Sequence, residues 1–183
     1  MLAAGRGRRM GGAKHLRALD GVPLAERVIR ALRGTSAARI SLVLAPGDSA
    51  GRALAESLGV RALEAESADE GRAASVRAAV RAAAPESAAL LFALADQPFL
   101  ESADFESLFA AFRSDPRGIV RASYSGAPGS PALFARAHFA ELLELRRKDG
   151  GRAVIARHPE LVRAVELPPD HGPDLDDPQD WPE

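Results

Sequence analysis

The sequence predicts an α/β fold in which a mostly parallel, mixed sheet lies between two layers of helices. Two short apolar runs, residues 40–45 and 89–95, end abruptly at Pro-Gly and at an aspartate. Runs of this length and composition are typical of strands buried on both faces. Amphipathic segments of helical period separate them. Because parallel strands need crossover helices, this alternation predicts a three-layer α/β/α architecture.

Helix boundaries in the first half are marked by turn and capping residues. The first helix should have Pro23 in its first turn and end before Gly34, since Pro is favoured at a first turn and Gly just past a helix end. Asp48 or Ser49 should cap the second helix, which Gly59 ends. The remaining elements predicted here are a strand at 60–63 and a helix at about 73–84.

The second half shows a less regular pattern. A largely aromatic stripe predicts a helix capped by Ser102 or Asp104, and we expect the stripe to pack in the core. Its members are Phe105, Leu108, Phe109 and Phe112. The other predicted elements are strands at 118–124, 131–134 and 161–167, a tight loop at 125–130, and helices at 139–145 and 153–157.

Composition limits the classes of function. The 183 residues fit one domain, 1–183, and the net charge of −1 lacks the basic excess of nucleic-acid or membrane-surface proteins. The absence of cysteine excludes disulfides, thiolate metal sites and a cysteine nucleophile. No signal peptide or long apolar run is visible. We therefore expect a soluble cytoplasmic protein, a monomer or weak homodimer, with no nucleic-acid or membrane partner.

The first sixteen residues combine a short apolar run, Met1–Ala4, with glycines and cations. Glycine lets a backbone approach a ligand closely, and clustered cations repel one another unless an anion or solvent takes up the charge. The stretch therefore predicts a polyphosphate-binding loop. Its spacing matches neither G-x-G-x-x-G nor the P-loop. Lys14 stands out in a chain whose basic residues are almost all arginine, which indicates a need for a compact ammonium.

Carboxylates appear at two further places. Asp96 directly follows a buried strand, at the edge of the sheet where ligands of α/β proteins bind. Because an unpaired carboxylate is costly to bury, Asp96 should face a cation or solvent; a turn aspartate before Pro98 is the alternative. The C-terminal stretch carries a dense acidic cluster, which is either part of a site or a solvated tail. The four histidines have no spacing that predicts a zinc site.

The opening residues resemble the signature L-A-A-G-x-S/G-x-R-M-G-x-x-K of the MobA-like NTP transferase family. The A-D-x-P pattern at Asp96 and the stretch 174–181 resemble later elements of the same family. Leu2–Gly5 places the likeness closest to the molybdenum cofactor cytidylyltransferases, since the guanylyltransferase branch typically has L-A-G-G. Members usually have several apolar residues before this signature. We therefore expect a short first strand here, with a start codon upstream or a truncated chain.

The resemblance implies a Rossmann-like nucleotidyltransferase fold and roles for particular residues. Arg9, Lys14 and Asp96 would be catalytic, and Mg²⁺ would bind Asp96 with Asp176 or, as a close second, Asp174. Ser75 would read the base edge, or would be a helix-surface serine. The nucleotide-binding residues implied are Leu2, Ala3, Ala4, Gly5, Gly7, Arg9, Met10, Gly11, Lys14, Gly71, Ser75 and Asp96. The acceptor-binding residues implied are Gly126, Gly129, Ser130, Pro131, Asp149 and Arg152.

The reaction implied is transfer of CMP from CTP to the phosphate of molybdopterin, with release of pyrophosphate. The same core would suit GTP, or a sugar phosphate, polyol phosphate or phospholactate as acceptor. A nucleotide-binding module without turnover is an alternative from another class. The element at Asp149–Arg152 is one residue shorter than its family counterpart and has Lys148 in place of glycine, so the acceptor side departs most from the family pattern.

Overall fold

The computed structural model describes residues 1–4, 13–67, 71–146, 149–175 and 181, in which strands and helices alternate. The strands are β1 (Ala18–Leu19), β2 (Val22–Pro23), β3 (Ser41–Leu44), β4 (Arg61–Glu64), β5 (Ala89–Phe92), β6 (Ile119–Tyr124), β7 (Ala127–Ala135) and β8 (Val162–Leu167). The α-helices are α1 (Leu24–Arg33), α2 (Ser49–Ser57), α3 (Arg72–Arg81), α4 (Ser102–Ser114), α5 (Phe139–Leu143) and α6 (Gly151–Arg157). Short 3₁₀ helices cover Lys14–Leu16, Arg136–His138, Pro159–Leu161 and Pro169–His171.

The N-terminal segment 1–3 joins two groups of strands into one mixed sheet. Leu2 bridges Val43 of β3 on one side and Leu94, just after β5, on the other, both in parallel. The resulting strand order is β4, β3, segment 1–3, β5, β7, β6, β8. Among the described strands of this sheet, β7 alone runs antiparallel to its neighbours, which confirms the predicted mostly parallel sheet. The first strand is as short as the sequence predicts, yet it lies in the middle of the sheet.

Helices cover both faces of this sheet, as the alternation predicts. Side chains of α1, α2 and α4 form one apolar cluster, in which Ile29 and Phe105 are completely buried. Side chains of α3, α5 and α6 pack on the opposite face around Ile119 and Phe134. The stripe on α4 is part of the core, as expected.

The observed helix ends agree with the predicted boundary residues at α1 and α2, and the observed N-cap differs from the predicted one at α4. Helix α1 begins directly after Pro23 and is followed by Gly34, and the Asp48 carboxylate accepts a hydrogen bond from the N–H of Gly51 at the start of α2. The prediction for α4 was wrong: its cap is Glu101, and Asp104, the third residue of the helix, completes a reciprocal capping box with it. Glutamate is an uncommon cap residue, so capping preference did not indicate it.

Two tight hairpins also differ from the predicted elements. The loop expected at 125–130 is only the turn Ser125–Gly126, where both residues have positive φ (51° and 77°), and β7 begins at Ala127. The small hairpin of β1 and β2 was not predicted, although its turn residues Asp20 and Gly21 are a strong hairpin signal. Within the described residues, no helix is both long enough and apolar enough to span a membrane.

Candidate functional site

The residues on either side of the basic loop are held firmly by the sheet and by α2. On the N-terminal side, the N–H groups of Leu2 and Ala3 donate to the carbonyls of Ala93 and Val43, both at 2.8 Å. On the C-terminal side, a 3₁₀ helix buries His15, whose Nε2 lies 3.0 Å from the Asp48 carboxylate. The backbone amides of Leu2 and Ala3 therefore stabilise the sheet, and Leu2 can reach a ligand only through its side chain.

Lys14 and Asp96 contact each other at the carboxyl edge of the sheet. The Lys14 Nζ donates to Asp96 Oδ2 at 2.8 Å, and the two side chains are 11% and 27% exposed. These residues lie 82 positions apart in the chain, and they are brought together because segment 1–3 is the neighbour of β5. The carboxylate faces a cation, as its position after an apolar strand predicts. A pair at such low exposure is only weakly screened by solvent.

The C-terminal segment is fastened beside Asp96 by three hydrogen bonds. The Leu175 N–H donates to the backbone carbonyl of Asp96 at 3.0 Å, and Gln97 Nε2 donates to the carbonyl of Gly172 at 3.0 Å. His171 Nδ1 lies 2.8 Å from the Asp104 carboxylate of the α4 capping box. These contacts place Asp174 next to the strand end that carries Asp96.

Tyr124 links this C-terminal segment to the start of β7. Its ring lies between Gly129 and Gly172, where an added Cβ would come within 2.5 Å and 2.8 Å of ring atoms. Its hydroxyl donates to the carbonyl of Ser130 at 2.7 Å. Burial, and then the charges of Asp104 and Asp174, raise the pKa of Tyr124, so the phenol stays neutral. The two glycines are needed for this close approach.

A cavity of about 300 Å³ lies on the α3 and α6 side of the sheet. Its lining includes four of the six predicted acceptor-binding residues, and it reaches Leu94, two residues before Asp96. The described residues that line it are Leu2, Arg72, Val76, Phe92, Leu94, Arg121, Gly129, Ser130, Ala132, Asp149, Gly150, Gly151, Arg152, Ala153 and Ile155.

The other predicted residues differ in their placement. Gly71 is the N-cap of α3 with a φ of 62°, and Ser75 is buried in that helix at 4% exposure, which makes the helix-surface alternative wrong. Gly126 lies in the exposed hairpin turn and Pro131 is buried in β7, so neither lines the cavity. The predicted residues Gly5, Gly7, Arg9, Met10, Gly11 and Asp176 lie outside the described residues.

Sequence reasoning missed two features that the fold assembles. Arg72 and Arg121 line the cavity together with Arg152. A single arginine in a strand does not indicate from the sequence that it lines a cavity, so neither residue was predicted. His138 and His158 come together with their ring centroids 5.1 Å apart, and both lie near the Glu141 carboxylate. This second group follows the end of β7 that pairs with the start of β5, so it lies at the sheet edge opposite Asp96.

The sheet and its two helical layers form the Rossmann-like fold of the nucleotide-sugar transferases. The chain belongs to the family with the MobA-like NTP transferase domain, whose family model matches residues 1–162. It is thus a nucleotidyltransferase of that family, and the resemblance seen in the sequence is confirmed. No curated protein matches the chain.

Solved structures with the same fold match nearly the whole chain. The Rv0371c protein of Mycobacterium tuberculosis H37Rv is 27% identical with a TM-score of 0.85, covering 98% of this chain and 92% of that one. Its manganese complex aligns at 24% identity and a TM-score of 0.79, with 98% and 92% coverage. Molybdopterin-guanine dinucleotide biosynthesis protein A of Archaeoglobus fulgidus shares the fold at 19% identity and a TM-score of 0.70, again covering 98% and 92%.

Proposed function

We propose that this protein transfers a nucleoside monophosphate from a nucleoside triphosphate to the phosphate of a small acceptor, releasing pyrophosphate. The observation that carries this proposal is the contact between Lys14 and Asp96. It joins the end of a cation-rich, glycine-rich loop to a carboxylate at the sheet edge where ligands of α/β folds bind. A triphosphate needs a cationic group such as Lys14, and the divalent cation that accompanies it needs a carboxylate such as Asp96.

The donors around Asp96 fit a hard divalent cation such as Mg²⁺. Asp96 is already bonded to a cation, the Lys14 ammonium, so its carboxylate is placed and oriented for positive charge. Asp174 lies in the segment whose next residue, Leu175, bonds to the Asp96 carbonyl, and it would be the second ligand. Asp176 is the alternative second ligand. Mg²⁺ prefers carboxylates, phosphates and water, and when bound here it would supply charge neutralisation at the phosphates.

The reaction requires positioning and charge neutralisation by the protein, with no covalent enzyme intermediate. An oxygen of the acceptor phosphate attacks the α-phosphorus, a new P–O bond forms, and the bond from the α-phosphorus to the bridging oxygen breaks. The electron pair leaves on pyrophosphate. Lys14 would move from Asp96 to the phosphate oxygens, and Arg9 would bind the same triphosphate from the basic loop. Gly71 at the start of α3 would allow close approach of the nucleotide.

We infer that CTP is the nucleotide and molybdopterin the acceptor. The Leu2–Gly5 signature supports CTP, and the acceptor would enter the cavity that Gly129 and Ser130 line beside Leu94. The Archaeoglobus fulgidus protein with this fold is named for molybdopterin-guanine dinucleotide biosynthesis, which supports a pterin acceptor for the fold.

The test measures pyrophosphate release from CTP, GTP, ATP and UTP with Mg²⁺ and molybdopterin. We expect the fastest release with CTP. Asp96→Asn should reduce kcat by at least about a hundredfold, because it removes the carboxylate charge at the centre of the site. Asp170→Asn is the matched control, since Asp170 is an exposed carboxylate in the same C-terminal region.

Three results would separate the parts of this proposal. Equal release with all four nucleotides would refute the choice of CTP. Full activity of Asp96→Asn would remove Asp96 from the site. Binding of nucleotide without any pyrophosphate release from molybdopterin or from sugar and polyol phosphates would instead identify a nucleotide-binding module.

A further inference from the structure

Three arginines line the cavity beside the proposed site, and they come from three different elements. Arg72 begins α3, Arg121 is in the middle of β6, and Arg152 is in the first turn of α6. Asp149 is the single carboxylate in the described lining. In the part of the chain that the structure describes, none of the three arginines forms a hydrogen bond or ion pair with a protein group.

Arg121 occupies a position that normally holds an apolar residue. Along a strand, alternate side chains share a face, so Arg121 is on the same face as Ile119, which is completely buried against α3, α5 and α6. The Nε of Arg121 is buried and has no hydrogen-bond partner among the described residues. Burial, and then the charge of Arg152, lower the pKa of Arg121. An uncompensated charge in such a place destabilises the folded protein.

Arg77, a buried arginine with a structural role, differs from Arg121 in its hydrogen-bond partners. Arg77, which is 8% exposed, donates to the carbonyl of Leu145 at 2.6 Å and to the Glu66 carboxylate at 3.2 Å. A buried guanidinium that serves packing therefore has its donors satisfied by protein acceptors. Among the described residues, neither the strand of Arg121 nor the neighbouring helices supply it with an acceptor, so its donors are available to an anion in the cavity.

Strand register shows how far this anion would be from the reacting phosphate. Arg121 pairs with Ala132, which pairs with Phe92, so Arg121 is level with a residue four positions before Asp96. At a rise of about 3.3 Å per residue, four residues correspond to roughly 13 Å along the strand direction. A single phosphate group is too small to contact Arg121 and also a cation that would be held at Asp96.

We propose that Arg121 and Arg152 form an anion subsite, and that the acceptor carries a second anionic group besides the phosphate that reacts. This inference rests on the proposed function for the identity of the ligand as the acceptor. The subsite selects phosphorylated carboxylates, bisphosphates or other dianionic acceptors, including the dithiolate of molybdopterin, over phosphates of neutral polyols and sugars. Guanidinium groups suit this task because they bind carboxylate and phosphate through paired N–H donors.

The first test detects the anion directly and does not depend on catalysis. The Arg121 Nε–H signal in a ¹H–¹⁵N NMR spectrum, assigned by its loss in Arg121→Lys, should shift on titration with malonate or inorganic phosphate. Arg152→Met should weaken the apparent affinity about tenfold, and Arg163→Met, at an exposed position on β8, should leave it unchanged. An Arg121 signal that stays fixed with both anions would overturn the subsite.

The second test uses the cost of an unpaired charge. Arg121→Met should raise the thermal midpoint of the protein without ligand. Malonate, which should raise the midpoint of the wild type, should leave that of the variant unchanged. A lowered midpoint would show that the guanidinium is held by contacts in the fold, which would overturn the proposal.

The third test separates the subsite from the proposed reaction. With CTP and Mg²⁺, glycerate 3-phosphate should be used with a kcat/KM at least about tenfold above that of glycerol 3-phosphate, and Arg121→Met should remove the difference. Equal use of both acceptors by the wild type would overturn the acceptor preference. A protein that binds malonate at Arg121 but releases no pyrophosphate with any acceptor would keep the subsite and lose the proposed function.

Discussion

Replacing Gly172 by alanine tests whether the packing of Tyr124 holds the C-terminal segment in place. Gly172 has φ −81° and ψ −24°, a conformation that alanine adopts without strain. If backbone entropy alone mattered, the change would stabilise the protein by about 0.4–1 kcal/mol. The added Cβ would, however, lie 2.8 Å from both Cγ and Cδ1 of the Tyr124 ring, and a ring fixed by its hydroxyl bond cannot easily move. Overpacking of this kind costs about 1–3 kcal/mol.

We therefore expect Gly172→Ala to lower the free energy of unfolding by about 1–2 kcal/mol in urea titrations, the overpacking cost less the entropic gain. The thermal midpoint should fall by about 2–4 °C for each kcal/mol. In a Tyr124→Leu background the same change should be nearly neutral or stabilising, because the ring is gone. Gly150→Ala is the control, since the described atoms near its added Cβ are those of Arg72, at the ordinary contact distances of 3.7 Å and 3.8 Å. A more stable Gly172→Ala in the wild-type background would refute the reasoning.

Two further predictions concern stability. Burial lowers the pKa of His15 below its ordinary 6.5, and Asp48 offsets only part of this shift, so protonation favours the unfolded state. The contribution of the neutral imidazole should be complete above pH 6.5 and be lost as the pH falls toward the folded-state pKa. His15→Gln should flatten this part of the unfolding free energy measured between about pH 5 and 8; an unchanged slope would contradict the assignment. Arg77→Met should cost about 1–3 kcal/mol in urea titrations, because it leaves the Leu145 carbonyl without its donor, whereas the exposed Arg113→Met should cost much less.

The sequence predicted the layers of this fold and both ends of the candidate site because local patterns encode them. An apolar run followed by Asp96 locates a strand end, and an apolar run followed by glycines and Lys14 locates a second one. The family resemblance made their proximity expected, and the contact between the two side chains agrees with it. Residues that are distant in sequence become neighbours in this way when they follow adjacent strands that end at the same edge of a sheet.

The sequence could not predict features that depend on register between distant strands. Arg121 looks like an ordinary half-exposed strand residue until β7 and α6 place Arg152 across the same cavity. His138 and His158 are 20 positions apart with no metal-binding spacing, and only the packing of the segment after β7 against the end of α6 joins them. Such groups can be recognised only once the fold is known, because no regular spacing along the chain relates their members.

The contact between Lys14 and Asp96 has a consequence for how ligands enter the proposed site. A divalent cation on Asp96 competes with the Lys14 ammonium and is repelled by it, whereas a triphosphate attracts both. Metal and nucleotide should therefore bind with positive coupling, which by linkage is the same in both directions and typically amounts to about 5–150-fold.

Lys14→Met separates the two interactions by the sign of its effects. The variant should bind Mn²⁺ alone more tightly than the wild type, because Asp96 loses its competitor, yet it should bind CTP more weakly and show reduced coupling between the two. Calorimetric titrations of Mn²⁺ with and without CTP measure all three quantities. Arg39→Met, which removes an equal charge from an exposed pair with Glu86, controls for net charge and should change none of them. If Lys14→Met bound Mn²⁺ alone less tightly than the wild type, Lys14 would be supporting the metal site, and competition for Asp96 would be the wrong account of this ion pair.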